Sequence, residues 1–170
     1  GETFVTRKIT MFLGNRLSGS KEILKLGNIY AKRDWGHAKD YVQMQWKILQ
    51  QKKPDDYVIA TGQTHSVKEF INTACKMLDI KIKWVGKGIS EKAYEIKKNK
   101  KILMIKIDKK YFRPLDINYL KGDPSKAKRI LKYKIKYKFK DLVEDMILSD
   151  IYFAKKKKCK KLIKKNSRIF

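Results

Sequence analysis

Apolar residues recur at helical spacing in four stretches of this chain and alternate with polar ones in another. Val5, Ile9, Phe12 and Leu13 fall three or four apart and predict a first helix, with Gly14 and Gly19 weakening its far end. Residues 22–26 read as a short strand closed by Gly27 and Asn28. A second helix is expected over residues 41–49. Asp40 stands at its start, where a carboxylate suits the helix dipole, and Pro54, Asp55 and Asp56 end it. Residues 57–61 form a short apolar run of the kind buried in a parallel sheet. Ser66 and Glu69 then have the spacing of a capping box. Behind them Val67, Phe70, Ile71, Ala74, Cys75 and Leu78 share one helix face, so Cys75 reads as a small core residue.

The pattern changes after Ile80. Residues 81–85 alternate, and the β-prone runs 93–96 and 102–107 flank Lys98-Asn99-Lys100 as a hairpin would. Residues 111–114 look like a loop. Asp123 and Pro124 are placed as N-cap and first-turn residues of a short helix over 125–131. A last helix, from about residue 140 to 153, turns Leu142, Val143, Met146, Ile147 and Ile151 to one side. Residues 155–165 hold eight lysines in eleven positions, which reads as a solvated helix end. Residues 1–153 therefore make one α/β unit and residues 154–170 a Lys-rich tail.

Charge alters this picture less than its size suggests. The formal net charge is +26, but only six of the 43 basic residues are arginine. A nucleic-acid surface favours arginine, which grips phosphates and base edges at two points. Lysine spread over every segment instead suits ordinary solvated faces, and counts against nucleic acid as the partner. No apolar run approaches the length of a membrane span. Two cysteines far apart indicate neither a disulfide framework nor a metal site, so a reducing cytoplasm is the expected setting. Gly1 is not an initiator Met and a helical pattern begins almost at once, which reads as a piece of a longer protein.

Catalytic motifs are wanting. The nine glycines form neither a dinucleotide turn nor a P-loop, and there is no nucleophile elbow. His37 and His65 are not spaced as metal ligands with any acid or thiol. Tyr-x-x-x-Lys occurs at Tyr94/Lys98 and Tyr152/Lys156, no more often than chance places it in so lysine-rich a chain. What remains is a set of cations at loops and element ends: Lys8, Arg33 and Arg113. Arg33 lies in the densest stretch of the sequence, residues 31–41, which packs an Arg, a Trp, a Gly, a His and two acids between a strand and a helix. Two readings fit this stretch: an Arg-Asp pair that ties a loop down, or Arg33 beside Trp35 as a planar cation held for an anionic oxygen.

Several runs together resemble a known family. They are Gly1-Glu2-Thr3-Phe4-Val5-Thr6-Arg7-Lys8-Ile9-Thr10, Leu26-Gly27-Asn28, Lys32-Arg33-Asp34-Trp35-Gly36-His37-Ala38-Lys39-Asp40-Tyr41, Asp55-Asp56-Tyr57-Val58-Ile59-Ala60-Thr61-Gly62, Tyr111-Phe112-Arg113-Pro114 and Gly122-Asp123-Pro124-Ser125-Lys126-Ala127. In order and spacing they are similar to GDP-mannose 4,6-dehydratases, which are extended short-chain dehydrogenase/reductases. The likeness runs from Gly1 to about Ile151. It implies the C-terminal, substrate-binding part of a Rossmann-type fold, without the N-terminal half that holds the dinucleotide turn and the catalytic residues. The implied reaction is a lyase reaction: NADP oxidises the 4-position of GDP-mannose, water leaves across the 5- and 6-positions, and the hydride returns to the 6-position. The product feeds GDP-fucose and related deoxysugars.

The same resemblance assigns roles by position. Val5 and Lys8 line the guanine end, Asn28 sits by the nucleotide with Leu26 close by, and Arg33 and Arg113 face the diphosphate. Where the family usually carries Glu, this chain has Asp116, one methylene shorter. Lys132, Tyr133 and Ile135 stand where the family prefers Gly, Trp and Pro. The implied partners are GDP-mannose, the N-terminal half of the same enzyme and, in the complete enzyme, further copies of it.

Overall fold

A computed structural model describes residues 3–112 and 116–166. Seven short strands and five α-helices follow one another along the chain. Helix α1 (Val5–Leu17) leads to β1 (Leu24–Leu26) and β2 (Lys32–Arg33), then to α2 (Ala38–Leu49). Next come β3 (His65–Ser66), α3 (Val67–Met77), β4 (Ile82–Val85), β5 (Lys92–Lys97) and β6 (Lys100–Ile107). The chain closes with β7 (Tyr119–Leu120), α4 (Ser125–Ile130) and α5 (Phe139–Asn166).

The strands form two mixed sheets. One has the order β1-β6-β5-β4, with β1 parallel to β6 and the other pairs antiparallel; the other has the order β3-β2-β7. Lys98 and Asn99 both have positive φ, 48° and 60°, as the expected two-residue hairpin requires. The pleat of the larger sheet turns Leu24, Leu26, Ala93, Ile105 and Ile107 inward. Against them pack Ile9 and Leu13 of α1, Phe70, Ile71 and Ala74 of α3, and Val143 and Ile147 of α5. Cys75 is fully buried there, and burial pushes its thiol up to about 12. A smaller cluster joins Met44 of α2 to Ala127, Leu131 and Tyr133.

Helices α1 and α5 are joined by charge as well as by shape. The buried Asp150 accepts from the Thr10 hydroxyl at 2.6 Å and pairs with Arg7 at 2.9 Å. Its own carbonyl oxygen lies 2.9 Å from where a Cβ on Gly14 would stand. That close approach explains why α1 runs through Gly14 to Leu17 instead of weakening there. The glycine is the contact surface, and packing outweighs its low helix propensity.

Four expectations need correction. Helix α2 starts earlier than residue 41 and is capped by His37, whose Nδ1 accepts from the Lys39 N–H at 3.2 Å. Asp40 is buried within its first turn and accepts from the Lys136 and Tyr137 N–H groups, both at 3.1 Å. Ser66 caps α3 through the Glu69 N–H, but the Glu69 carboxylate turns to His65 at 2.6 Å, so only half of the capping box forms. Residues 57–61 join no strand ladder among the described residues. Finally, α5 continues well past residue 153, to Asn166.

Alanine at Gly14 would drive its Cβ into the α5 backbone, a rigid neighbour. Gly14→Ala is expected to cost about 1–3 kcal/mol of stability, read as a lower urea midpoint with unchanged slope.

Candidate functional site

The Arg33 stretch is organised by the residue next to it. Asp34 Oδ1 accepts from the Thr61 N–H at 2.9 Å and from the Thr61 hydroxyl, while Oδ2 accepts from the N–H groups of Gly62 at 2.8 Å and Gly122 at 3.3 Å. One carboxylate thus gathers two distant turns against β2. The Asp34 N–H in turn donates to the Leu120 carbonyl at 3.1 Å and extends the β2–β7 pairing. Gly122 fits because a Cβ there would stand 2.2 Å from that of Ala60.

The residues after Asp34 form scaffold. Trp35 meets Phe70 edge-on, with ring centres 5.5 Å apart, and stacks on Phe139. Gly36 leaves room for the Tyr41 ring. Burial first, then the charge of Asp34, raises the Tyr41 phenol above its ordinary value. His37 stacks on Tyr137 and lies 3.2 Å from Asp145.

Arg33 itself is held from three sides. Its Nη1 donates to the backbone carbonyls of Lys32, at 2.9 Å, and Ile117; its Nη2 donates to Asp116 Oδ1 at 2.9 Å. Of the two readings of this stretch, the structure bears on the ion pair. Asp34 ties loops down, but not through Arg33, whose carboxylate partner comes from a residue 83 positions away.

Arg33 and Asp116 open on a cleft of about 460 Å3. Val5, Lys8, Leu26 and Asn28 also line it, so six of the seven residues singled out from sequence converge on one hollow. The seventh, Arg113, lies outside the described residues. The Asn28 side chain is partly committed: its Nδ2 donates to Asn118 at 2.9 Å, and its Oδ1 accepts from the Tyr30 N–H at 2.9 Å. Helix α1 reaches the cleft with its N-terminal end, where Phe4 supplies no side-chain cap. Sequence reasoning did not single out Asp34 or Tyr111 as lining residues. The Tyr111 ring lies 4.1 Å from the Lys8 ammonium, and an aromatic residue in a loop beside a predicted cation was the available signal.

The cleft offers cations, amides and an aromatic face, a mixture suited to a phosphorylated polar ligand. The N-terminal turns of α2 and α3 are closed by the side chains of His37 and Ser66, and Gly36 is packed on Tyr41 rather than open to a pyrophosphate. Among the described residues no helix is long and apolar enough to cross a membrane, and no group of acids, histidines and cysteines is placed to hold a metal ion.

Comparison with known proteins decides the family. The family model described as GDP-mannose 4,6 dehydratase matches residues 1–146. The chain belongs to the GDP-mannose 4,6-dehydratase family. It is 52% identical over 155 residues to the GDP-mannose 4,6 dehydratase of Dictyostelium discoideum, covering 91% of this chain and 43% of that protein. The Drosophila melanogaster protein of the same name is 47% identical over 156 residues, covering 92% of this chain and 39% of its own length. The chain thus spans about two-fifths of these relatives.

Among solved structures, RMD from Pseudomonas aeruginosa complexed with NADPH aligns with a TM-score of 0.68 at 14% identity, over 89% of this chain and 44% of that one. UDP-glucose-4-epimerase from Stenotrophomonas maltophila, with bound NAD and formylated UDP-arabinopyranose, aligns at 0.65 and 16% identity, over 90% of this chain and 41% of that one. At such identities the likeness speaks for the fold alone. The α/β fold, with its short mixed sheets, is part of the extended short-chain dehydrogenase/reductase architecture.

Replacing the Asp34 carboxylate should loosen both turns it gathers. Asp34→Asn is expected to lower stability by about 2–3 kcal/mol, checked by urea denaturation. A loss within experimental error would mean that the two turns hold without it.

Proposed function

We propose that this chain is the substrate-gripping part of a GDP-mannose 4,6-dehydratase, and that it binds the GDP portion of GDP-mannose in the cleft between α1 and Arg33. The observation that carries the reading is the state of Arg33. Two backbone carbonyls fix the plane of its guanidinium at the cleft wall, which is how a protein prepares an arginine for a phosphate before the ligand arrives. Lys8, from the first turns of α1, adds a second positive charge to the same hollow. Val5 and Leu26 supply apolar wall for a base, and Asn28 keeps one amide hydrogen to offer. Arg113 is assigned to the diphosphate by family resemblance alone.

The residues here position a substrate and do not transform it. In the complete enzyme, NADP supplies the hydride chemistry. The His37 and Ser66 side chains close the N-terminal turns of α2 and α3, and we assign the cofactor and the catalytic groups to the rest of the enzyme. The surface supports this division. Val42, Trp46 and Leu49 on α2 are 62%, 62% and 81% exposed, while Tyr57 and Ile59 pack on the other side of that helix, with Met44 and Ile48. An apolar helix face left this exposed is a surface that another part of a protein covers. We assign the N-terminal half of the enzyme to that face, in a cytoplasmic enzyme that assembles with further copies of itself.

Calorimetric titration with GDP tests the grip. Arg33→Ala should weaken binding about tenfold, roughly 1.4 kcal/mol. Lys39→Ala, whose ammonium lies over the Tyr137 ring, should leave it within about twofold. Equal effects would return Arg33 to a structural role. The 170-residue chain supplied with NADP should convert no GDP-mannose, followed as formation of the 4-keto product. Measurable turnover would show that the division of labour is wrong.

A further inference from the structure

The geometry points to Asp116 as a built-in anion that holds the phosphate-binding face of Arg33 until a ligand displaces it. This inference rests on the reading of Arg33 as the phosphate grip. A guanidinium has five N–H donors, and a two-point grip on a phosphate uses two neighbouring ones. Both Nη1 contacts of Arg33 go to the carbonyls of Lys32 and Ile117, which are fixed backbone. The remaining fork pairs Nε with Nη2, and Asp116 Oδ1 stands on Nη2 at 2.9 Å. A phosphate oxygen that takes this fork arrives beside a carboxylate of its own sign.

Nothing in the exposure of the pair forbids exchange. The Arg33 and Asp116 side chains are 26% and 27% exposed, and both line the cleft. Asp116 also lies at the end of a short side chain. Its Oδ1 is engaged by Arg33 Nη2 at the wall of the cleft. In this chain the acid therefore acts as a competitor for the arginine and not as a ligand for the sugar. Its effect is to keep Arg33 oriented and neutralised in the empty cleft, at the cost of some affinity for anions and with discrimination against weakly charged ones.

The two roles give opposite signs on substitution. If Asp116 competes with phosphate, Asp116→Asn should tighten both GDP and inorganic pyrophosphate by about three- to tenfold, the scale of one unit charge a few ångströms away at the surface. Guanosine, which carries no phosphate, should bind the variant as it binds the wild-type chain. If instead the carboxylate grips ribose or base, the variant should lose affinity for both guanosine and GDP, and the inference is overturned. No change for pyrophosphate overturns it as well.

Arg33→Ala separates this failure from failure of the underlying reading. Weaker GDP binding by Arg33→Ala without tightening by Asp116→Asn sinks the competitor alone. Unchanged GDP and pyrophosphate binding by Arg33→Ala sinks the phosphate grip and the competitor with it. So does failure of GDP to bind either the wild-type chain or Asp116→Asn. Far-UV circular dichroism establishes that each variant is folded before its affinity is compared.

Discussion

The carboxylate of Asp34 is the constraint on which the site depends. Its two oxygens take four donors from two turns that lie 27 and 88 residues downstream, and those bonds hold Thr61, Gly62 and Gly122 against β2. A carboxylate with several hydrogen bonds to backbone N–H groups is a strong local organiser, because each bond is charge-assisted and its geometry is fixed by the chain. Arg33 is the preceding residue, so fixing Asp34 leaves its neighbour little freedom of position. β7 then runs beside β2 and places the carbonyl of Ile117 against the guanidinium. The order of cause is from Asp34 to the turns, from the turns to the strand pairing, and from the pairing to the orientation of Arg33.

Local patterns in the sequence were a good guide wherever the stabilising partners are close in sequence. The hairpin at Lys98 and Asn99 and the Ser66 cap satisfy themselves within a few residues, and the helical period of Phe70, Ile71, Ala74 and Cys75 marks the buried face of α3 whichever elements cover it. Misreadings arose where a distant partner wins. Asp40 is favourable near a helix start for dipole reasons alone, but its partners are the N–H groups of Lys136 and Tyr137, some 96 residues away. Glu69 prefers the His65 ring to the cap it is spaced for. Gly14 looked like a weak point because propensity scales know nothing of the Asp150 carbonyl pressed against it.

The site was legible to a different degree. Unusual cations at element ends drew attention to Lys8, Arg33 and Arg113 from the residues themselves, while Val5, Leu26, Asn28 and Asp116 entered only through family resemblance. Neither route foresaw how Arg33 is divided among its partners. The adjacent Asp34 is the obvious counter-ion in sequence, yet adjacent side chains on a strand point to opposite faces, so Arg33 has to find its carboxylate on another segment. Asp116 meets that need because β7 pairs with β2, Leu120 opposite Arg33, and the segment that leads into β7 carries Asp116 and the Ile117 carbonyl to the guanidinium.

The cleft is walled by the main cluster, through Val5, Leu26, Trp35 and Val67, and this has a consequence for its energetics. Lys8 rides on α1, which is part of the large core under the four-stranded sheet. Arg33 stands on a two-residue strand whose neighbours lead both ways: β3 runs into α3 of that core, and the turns held by Asp34 run toward the small cluster of Met44, Ala127, Leu131 and Tyr133. Four buried residues stabilise far less than the seventeen of the main cluster, so the small one is the part of the fold that opens first. A ligand held by Lys8 on one side and Arg33 on the other binds only when both parts are in place, and its binding free energy then counts toward the weaker one. Ligand binding between Lys8 and Arg33 would for this reason be coupled to the stability of the turns that Asp34 holds.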